Sequence, residues 1–396
     1  MYFNPNRKSY TANPYGALAA LRAETPVFLS LDVGAWIVTR YDTCADVLKD
    51  HEGFSASRDH AVGAMAAHMA ADSSRLPIRI PPLAGLDAPE HTRLRRLVNR
   101  VFHPGSVAAM RPAVEEITET LLDRIEPGAP FDVVGALAEP LPAAALEPLI
   151  GLPPMEHPVA LSALNVIETV RAAPGAPASA IRASERAIAA TNAILDRPEL
   201  ANSNPQSLVP ILLASEREEL IGREQVISMA AHIATVGLAP TTGLIANGLL
   251  ALLENPDQYK ALRDDPSLTA SAVHELMRYD SPIHAVPRLA TRDLTLLGRK
   301  IKHGDAVFVV AGAANRDPEV FPDPDTLDIR RDARMHLGFG MGPHICLGGP
   351  IARMVAEVSL MAITRRFPRL HLHAGGVERA PGFERRMLSK LVVDPE

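Results

Sequence analysis

The stretch HLGFGMGPHICLGG, His336 to Gly349, sets Cys346, one of only two cysteines, in a run of glycines. A cysteine on a plain helix face is usually a small buried hydrophobe. Here Gly338, Gly340, Gly342, Gly348 and Gly349 flank it, and glycine allows positive φ and close backbone approach. The pattern predicts a tight loop that can lie beneath a large flat ligand and turn backbone N–H groups toward sulfur. The following run, IARMVAEVSLMAITRRF, has the apolar periodicity of a helix. Cys346 is therefore expected near a helix N-terminus, where the dipole favours a thiolate.

Outward from this loop, 396 residues would suggest about two or three domains by length alone. No linker, low-complexity tract or internal repeat divides the chain, so residues 1–396 read as one large domain. Apolar residues make up 47% and aromatic residues 4%, which predicts a large core of Leu, Ala, Val and Ile. With 40 basic and 46 acidic residues the net charge is −6, and nothing favours a nucleic-acid partner. Cys44, the second cysteine, lies on a local helix and reads as core, and no disulfide framework is expected. The first residues contain no apolar run of signal-peptide or membrane length, so a cytoplasmic protein without a membrane association is expected.

PYGALAALRAETP, from Pro14, predicts a short helix. PVFLSLD and AWIVTRY predict two strands in a hairpin around Val33-Gly34. Asp42 opens a helix through Cys44 to Leu48. Helical periodicity breaks from Arg58 to Leu86, returns from Pro89 to Val101, and continues with Pro-rich interruptions at 151–158 and 174–177. Residues 223–254 form the longest periodic segment. As one helix it would span ~48 Å, and its apolar surface on most sides implies burial. SAVHELMRYD predicts another helix, LTLLGRKI and DAVFVVAG short strands, and FERRMLSKLVV a loop or strand pair. The class is mostly α with a minor β region.

Phe339-Gly340-Met341-Gly342-Pro343-His344-Ile345-Cys346-Leu347-Gly348 matches every fixed position of the pattern F-G-x-G-x-H-x-C-x-G. In this the chain resembles the haem-thiolate monooxygenases, the cytochromes P-450, of the bacterial type. The resemblance implies the cytochrome P-450 fold and haem b (iron protoporphyrin IX) with the Cys346 thiolate as axial metal ligand. It places Phe339 and Gly340 among the cofactor-binding residues. Glu275 and Arg278, at i and i+3, would alone read as a surface ion pair of little worth. The resemblance makes them a structural pair that buttresses the haem-side core, together with Ala313 to Pro324. His91 and Arg95 share one helix face. The resemblance assigns them, with Arg288 and His344, to the haem propionates, because buried carboxylates need compensating donors. His336 is a further candidate for the haem edge.

The long central helix of this family usually carries A-G-x-[D/E]-T. There the glycine widens a groove, and the acid and threonine relay protons to dioxygen while the thiolate pushes electron density from the other side. This chain reads Val236-Gly237-Leu238-Ala239-Pro240-Thr241-Thr242. Anchoring on Gly237 puts Ala239 at the acid and Pro240 at the alcohol, and the run Leu244 to Gly248 favours this register. Anchoring on Thr241 keeps the alcohol and puts Pro240 at the acid. Neither register contains the carboxylate. Proline within a helix costs ~3 kcal/mol, would deprive the Val236 carbonyl of its donor, and predicts a kink. Thr241 is then roughly 100° around the helix from the alcohol position. Three consequences stay open: hydroxylation with water or substrate carrying the protons, radical coupling of substrate, or a peroxide-driven reaction. Peroxide-driven members carry an arginine where this chain has Ala239.

The resemblance implies that Ala61–Leu86, Ala234–Thr241, Ile283–Val286 and Phe383–Leu388 face the substrate. Met65, Met69, Ile233, Ile283, Val286 and Met387 would supply apolar contacts, and His68, His284 and Arg386 polar ones. Each also reads as ordinary core or surface. FERRMLSKLVV is similar to the terminal loop of members that oxidise cyclic dipeptides and couple aromatic rings. The expected function is oxidation of a small hydrophobic molecule in bacterial specialised metabolism, with dioxygen and external electrons. Radical coupling of an aromatic cyclodipeptide leads. Hydroxylation of a macrolide, terpene or other natural product is the alternative, and a non-catalytic haem sensor or carrier is a reading of another class. No flavin or iron–sulfur motif is present, so ferredoxin and ferredoxin reductase are the expected electron donors to a monomer. Arg93, Arg96, Arg100 and Arg353 would form a basic patch that steers an acidic ferredoxin, or an ordinary charged face.

Overall fold

The runs rich in Val, Ile and Phe that read as strands do pair. The computed structural model describes residues 3–63, 75–152, 157–172, 176–202 and 204–395. Its strands are β1 (Val27–Ser30), β2 (Ala35–Val38), β3 (Phe54–Ser55), β4 (Phe131–Asp132), β5 (Val286–Ala290), β6 (Leu294–Leu296), β7 (Arg299–Ile301), β8 (Ala306–Val309), β9 (Leu370–Arg379) and β10 (Leu388–Pro395). β1 and β2 form the expected hairpin, with Val27 opposite Val38 and Ser30 opposite Ala35. It extends to a five-stranded sheet in the order β1-β2-β8-β5-β3, with only β2 and β8 parallel. β4, β10 and β9 form a second sheet, and β6 and β7 a two-stranded ribbon. FERRMLSKLVV thus ends as strand β10. Helices fill most of the remaining chain, giving a mostly α fold with a minor β part.

The residues group into two compact units, each drawn from separate stretches of chain. One comprises Met1–Ser55, Ala108–Pro142 and Ala239–Glu396, and the other Ala56–Val107 and Ala143–Leu238. One domain over 1–396 was the expectation. The division leaves no linker in the sequence because one of its boundaries, Leu238 to Ala239, falls inside helical sequence. The first unit holds all the described strands. In its core Cys44 is fully buried beside Val38, Tyr41, Val47, Phe54 and Val309. Its Sγ donates to the Val38 carbonyl at 3.3 Å, and burial pushes its thiol up, as expected for a core cysteine. The second unit is helical. There His157–Ala172 packs against both Ala178–Leu195 and Arg223–Val236.

The segment 223–254 corrects the expectation of one kinked helix. One helix ends at Val236, Gly237 retains helical dihedrals (φ −76°, ψ −18°), and a second runs Leu238–Glu254. Pro240 therefore sits in the first turn of the second helix. First-turn N–H groups lack intrahelical acceptors, so a missing one costs little there. The break removes most of the strain that proline would impose in a helix interior. The stretch Arg223–Glu254 is long and apolar enough to cross a membrane, but 72% of its most apolar window is buried within the protein.

Glu275 and Arg278 lie on the helix Thr269–Tyr279, and both side chains are fully buried. Two parallel hydrogen bonds of 2.7 Å join them. Arg278 also donates to the carbonyls of Asn315 (3.0 Å), Pro324 (2.8 Å) and Thr326 (3.2 Å). Glu275 Oε1 accepts from the Asp328 amide at 3.0 Å and from Arg331 at 3.3 Å. The surface reading is excluded, and the buttress reading describes the geometry. Removing one partner strands a buried charge. Arg278→Ala should lose about 3–5 kcal/mol in urea unfolding, with Glu275→Gln losing less because an acceptor oxygen remains.

Candidate functional site

Cys346 is exposed in the loop that precedes the helix Gly349–Arg366. Its backbone N–H donates to the Phe339 carbonyl at 2.8 Å, and Ile345 N–H to Gly342 at 3.1 Å. These bonds close the loop and use the Cys346 amide within it. Gly342 has φ +72°, and a Cβ there would stand 2.6 Å from the Leu48 carbonyl oxygen. Both facts demand glycine. Phe339 lies half-buried beneath the loop with the Arg353 guanidinium 5.5 Å from its ring centroid. The thiol is thereby held open at a helix N-terminus, as expected.

The residues suit a haem. A single soft thiolate ligand is presented. Among the described residues no group of three or more His, Cys, Asp or Glu could hold a metal ion by itself. The haem-thiolate resemblance implies that a macrocycle supplies the other ligands of an iron at Cys346. Each cationic candidate for the macrocycle's carboxylates has its own setting. Arg288 is buried on β5, its Nη1 donating to the Pro287 carbonyl at 2.8 Å, and His344 is half-buried in the loop. His91 is buried and Arg95 half-buried on the helix Glu90–Val98 of the second unit. Burial, then Arg95, lower the His91 pKa.

Along the broken central segment the burial changes. Val226 to Ala234 and Thr241 to Leu252 are buried, whereas Val236 is exposed and Gly237, Leu238, Ala239 and Pro240 are half-buried. In the Gly237 register, the stretch where the family carries its acid and alcohol is thus a partly accessible interruption between two buried runs. It presents no carboxylate, and Thr241 is buried one position beyond it.

Two of the polar substrate candidates, His284 and Arg386, are engaged inside the protein. His284 is fully buried, with Nε2 3.0 Å from the Tyr10 hydroxyl and its ring near Tyr15 and Phe383. Arg386 is also buried. It bonds to Asp280 at 2.6 Å and to the carbonyls of Thr11 and Ala12. Asp280 further accepts from Tyr15 at 2.6 Å and Arg379 at 3.1 Å. Burial opposes its charge, but Arg386 and Arg379 outweigh it and hold the carboxyl below its usual range. These residues pin the N-terminal segment to the end of the chain. Met65, His68 and Met69 lie outside the described residues. Ile233 is buried, and Ile283, Val286 and Met387 are half-buried.

Arg93 of the expected basic patch is tied to Glu90 at 2.6 Å, and Arg353 stacks on Phe339. Arg96 and Arg100 remain exposed. His336, a candidate for the haem edge, is buried with both ring nitrogens bonded inside the protein. The sequence reading missed the His232–Glu168 pair, 3.1 Å apart, on adjacent helices of the second unit. It also missed the His274–His336 pair at 3.2 Å. Neither has a local signal, because the partners are 64 and 62 residues apart.

A family model described as Cytochrome P450 matches residues 186–388. The chain is 31% identical over 382 residues to the polyketide biosynthesis cytochrome P450 PksS of Bacillus subtilis (strain 168), covering 94% of this chain and 93% of that one. It is 34% identical over 383 residues to the 6-deoxyerythronolide B hydroxylase of Saccharopolyspora erythraea, covering 92% and 91%. Among solved structures, epothilone B-bound cytochrome P450epoK matches with a TM-score of 0.90 at 28% identity, over 100% of this chain and 99% of that one.

The ligand loop predicts that Cys346→Ser abolishes the thiolate-type Soret band of the reduced carbon monoxide complex, whereas Cys44→Ser retains it. Gly342→Ala should lower haem content several-fold. The buried imidazole of His284 predicts an acid dependence. Burial, aided by Arg386, lowers its pKa from 6.5 to about 4. The unfolded chain therefore takes up a proton that the folded one refuses. Its stabilising contribution is complete above pH 6.5 and falls as the pH drops from there to about 4. The slope from this group approaches ~1.4 kcal/mol per pH unit. Urea titrations across that window should show it, and His284→Gln should remove it.

Proposed function

This chain belongs to the cytochrome P450 family, and on that premise we propose that it oxidises a bulky apolar natural product without a protein carboxylate to deliver protons. It is a bacterial haem-thiolate monooxygenase of secondary metabolism that takes electrons from a ferredoxin and its reductase. With haem bound, dioxygen and two electrons, this chemistry oxidises an unactivated C–H bond. The chain's own residues set how that happens. Cys346 supplies the axial thiolate, which the following helix N-terminus favours. His91, Arg95, Arg288 and His344 neutralise the haem carboxylates. Ile283, Val286 and Met387 contribute apolar wall to the substrate site.

The observation that carries the proposal is the accessible stretch Gly237–Pro240, which offers no acid. Protons must then come from ordered water or from polar groups of the substrate itself. An oxygen-rich polyketide suits that need. The names of the relatives, polyketide biosynthesis and 6-deoxyerythronolide B hydroxylase, support the same class and the hydroxylation of a macrolide-like ring. Radical coupling of an aromatic cyclodipeptide is the second reading, and the missing acid together with the run from Phe383 to Val393 favours it. Loss of the relay does not by itself cause coupling.

Turnover with ferredoxin, reductase and a panel of macrolactones and aromatic cyclic dipeptides decides between them. A product heavier by one oxygen supports hydroxylation, and a dimer lacking two hydrogens supports coupling. Spin-state shifts without any product would overturn both and favour a haem carrier. The double variant Ala239→Glu, Pro240→Thr should speed oxygen activation on substrates without hydroxyl groups by about tenfold. An unchanged rate and product profile would count against substrate-supplied protons.

A further inference from the structure

Beyond the ligand itself, the Cys346 loop is held by a pair of imidazoles. His336 Nδ1 accepts the Gly338 backbone N–H at 3.1 Å. That nitrogen is therefore unprotonated, and in a neutral ring the proton is on Nε2. Nε2 lies 3.2 Å from His274 Nδ1, so it donates and His274 accepts. His274 then carries its own proton on Nε2. Only one arrangement of protons satisfies all the bonds, and it requires both rings to be neutral.

Each end of the pair is anchored. His274 precedes Glu275 on the helix Thr269–Tyr279, whose buried pair gathers the segment from Asn315 to Asp328. Gly338 is pressed against the same helix, and a Cβ there would stand 2.5 Å from Met277 Cγ. The His336 ring lies 5.4 Å from the Phe339 ring, and the Phe339 carbonyl accepts the Cys346 N–H. One residue earlier, the Leu337 N–H is held by Asn315 Oδ1 at 2.7 Å. The peptide units leading into Phe339 are thus fixed by two side chains rather than by a regular helix or strand.

We propose that the His274–His336 pair is a positioning device that sets the Cys346 loop on the Glu275–Arg278 helix and thereby governs how firmly the thiolate is held. The proposal rests on the haem-thiolate reading of Cys346. His336 touches neither Cys346 nor the substrate in this scheme and acts only through Gly338 and Phe339.

The test uses the haem-loaded enzyme and two readouts. One is the rate at which the reduced carbon monoxide complex passes from the thiolate-type to the thiol-type Soret band. The other is the haem reduction potential. His336→Asn keeps an acceptor for Gly338 and loses the contact with His274, whereas His336→Leu loses both. His274→Leu leaves the loop sequence untouched and serves if the His336 variants fail to load haem. His274→Asn restores an acceptor for His336. The expected order of conversion rates is parent and His274→Asn lowest, then His336→Asn, then His336→Leu. His274→Leu should exceed the parent, and His336→Leu should be faster by on the order of tenfold, with a shifted potential. Lower unfolding midpoints with conversion rate and potential unchanged would overturn the proposal. A parent that never shows the thiolate band would overturn the haem-thiolate reading itself, which Cys346→Ser checks separately.

Discussion

The buried Glu275–Arg278 pair is the constraint on which the first unit depends. Two charges out of water are costly, and their mutual attraction rarely repays the whole cost. Here the remaining donors and acceptors are used on the carbonyls of Asn315, Pro324 and Thr326 and the amide of Asp328. A segment with little regular structure is thereby held in place by one side-chain pair. The return for the buried charge is a fixed path for the chain just before the Cys346 loop.

That path matters because the loop has few other restraints. Its 3₁₀ turns are short, Leu337–Phe339 and Gly342–His344, and Gly342 and Gly338 are required by close approach to Leu48 and Met277. Rigidity must be imported from neighbours. Asn315 and His336 supply it through the amides of Leu337 and Gly338, and the helix Gly349–Arg366 supplies it from the other side. An axial ligand held this way keeps its geometry without a stiff backbone of its own.

What was legible in the sequence was local. The Cys346 loop, the β1–β2 hairpin around Gly34 and the helix Thr269–Tyr279 each follow from residues close together in the chain. What was not legible depended on distant partners. His284 and Arg386 read as polar contacts for a ligand because the family resemblance turns Ile283–Val286 and Phe383–Leu388 toward the substrate. Their partners, Tyr10 and the Thr11 carbonyl, lie 274 and 375 residues away, and no short-range pattern reports that. The central segment failed differently. Pro240 reads as a kink in one long helix, and the sequence does not say that the helix would end at Val236 and begin again at Leu238.

That restart bears on how the accessible stretch can change. Ala239 is the second residue of a new helix, at the end where the helix dipole favours a negative charge. An aspartate or glutamate at this position would meet a favourable backbone field. The backbone at 239 therefore does not explain why a carboxylate is missing. A single substitution at 239 would give this segment an acid of its own.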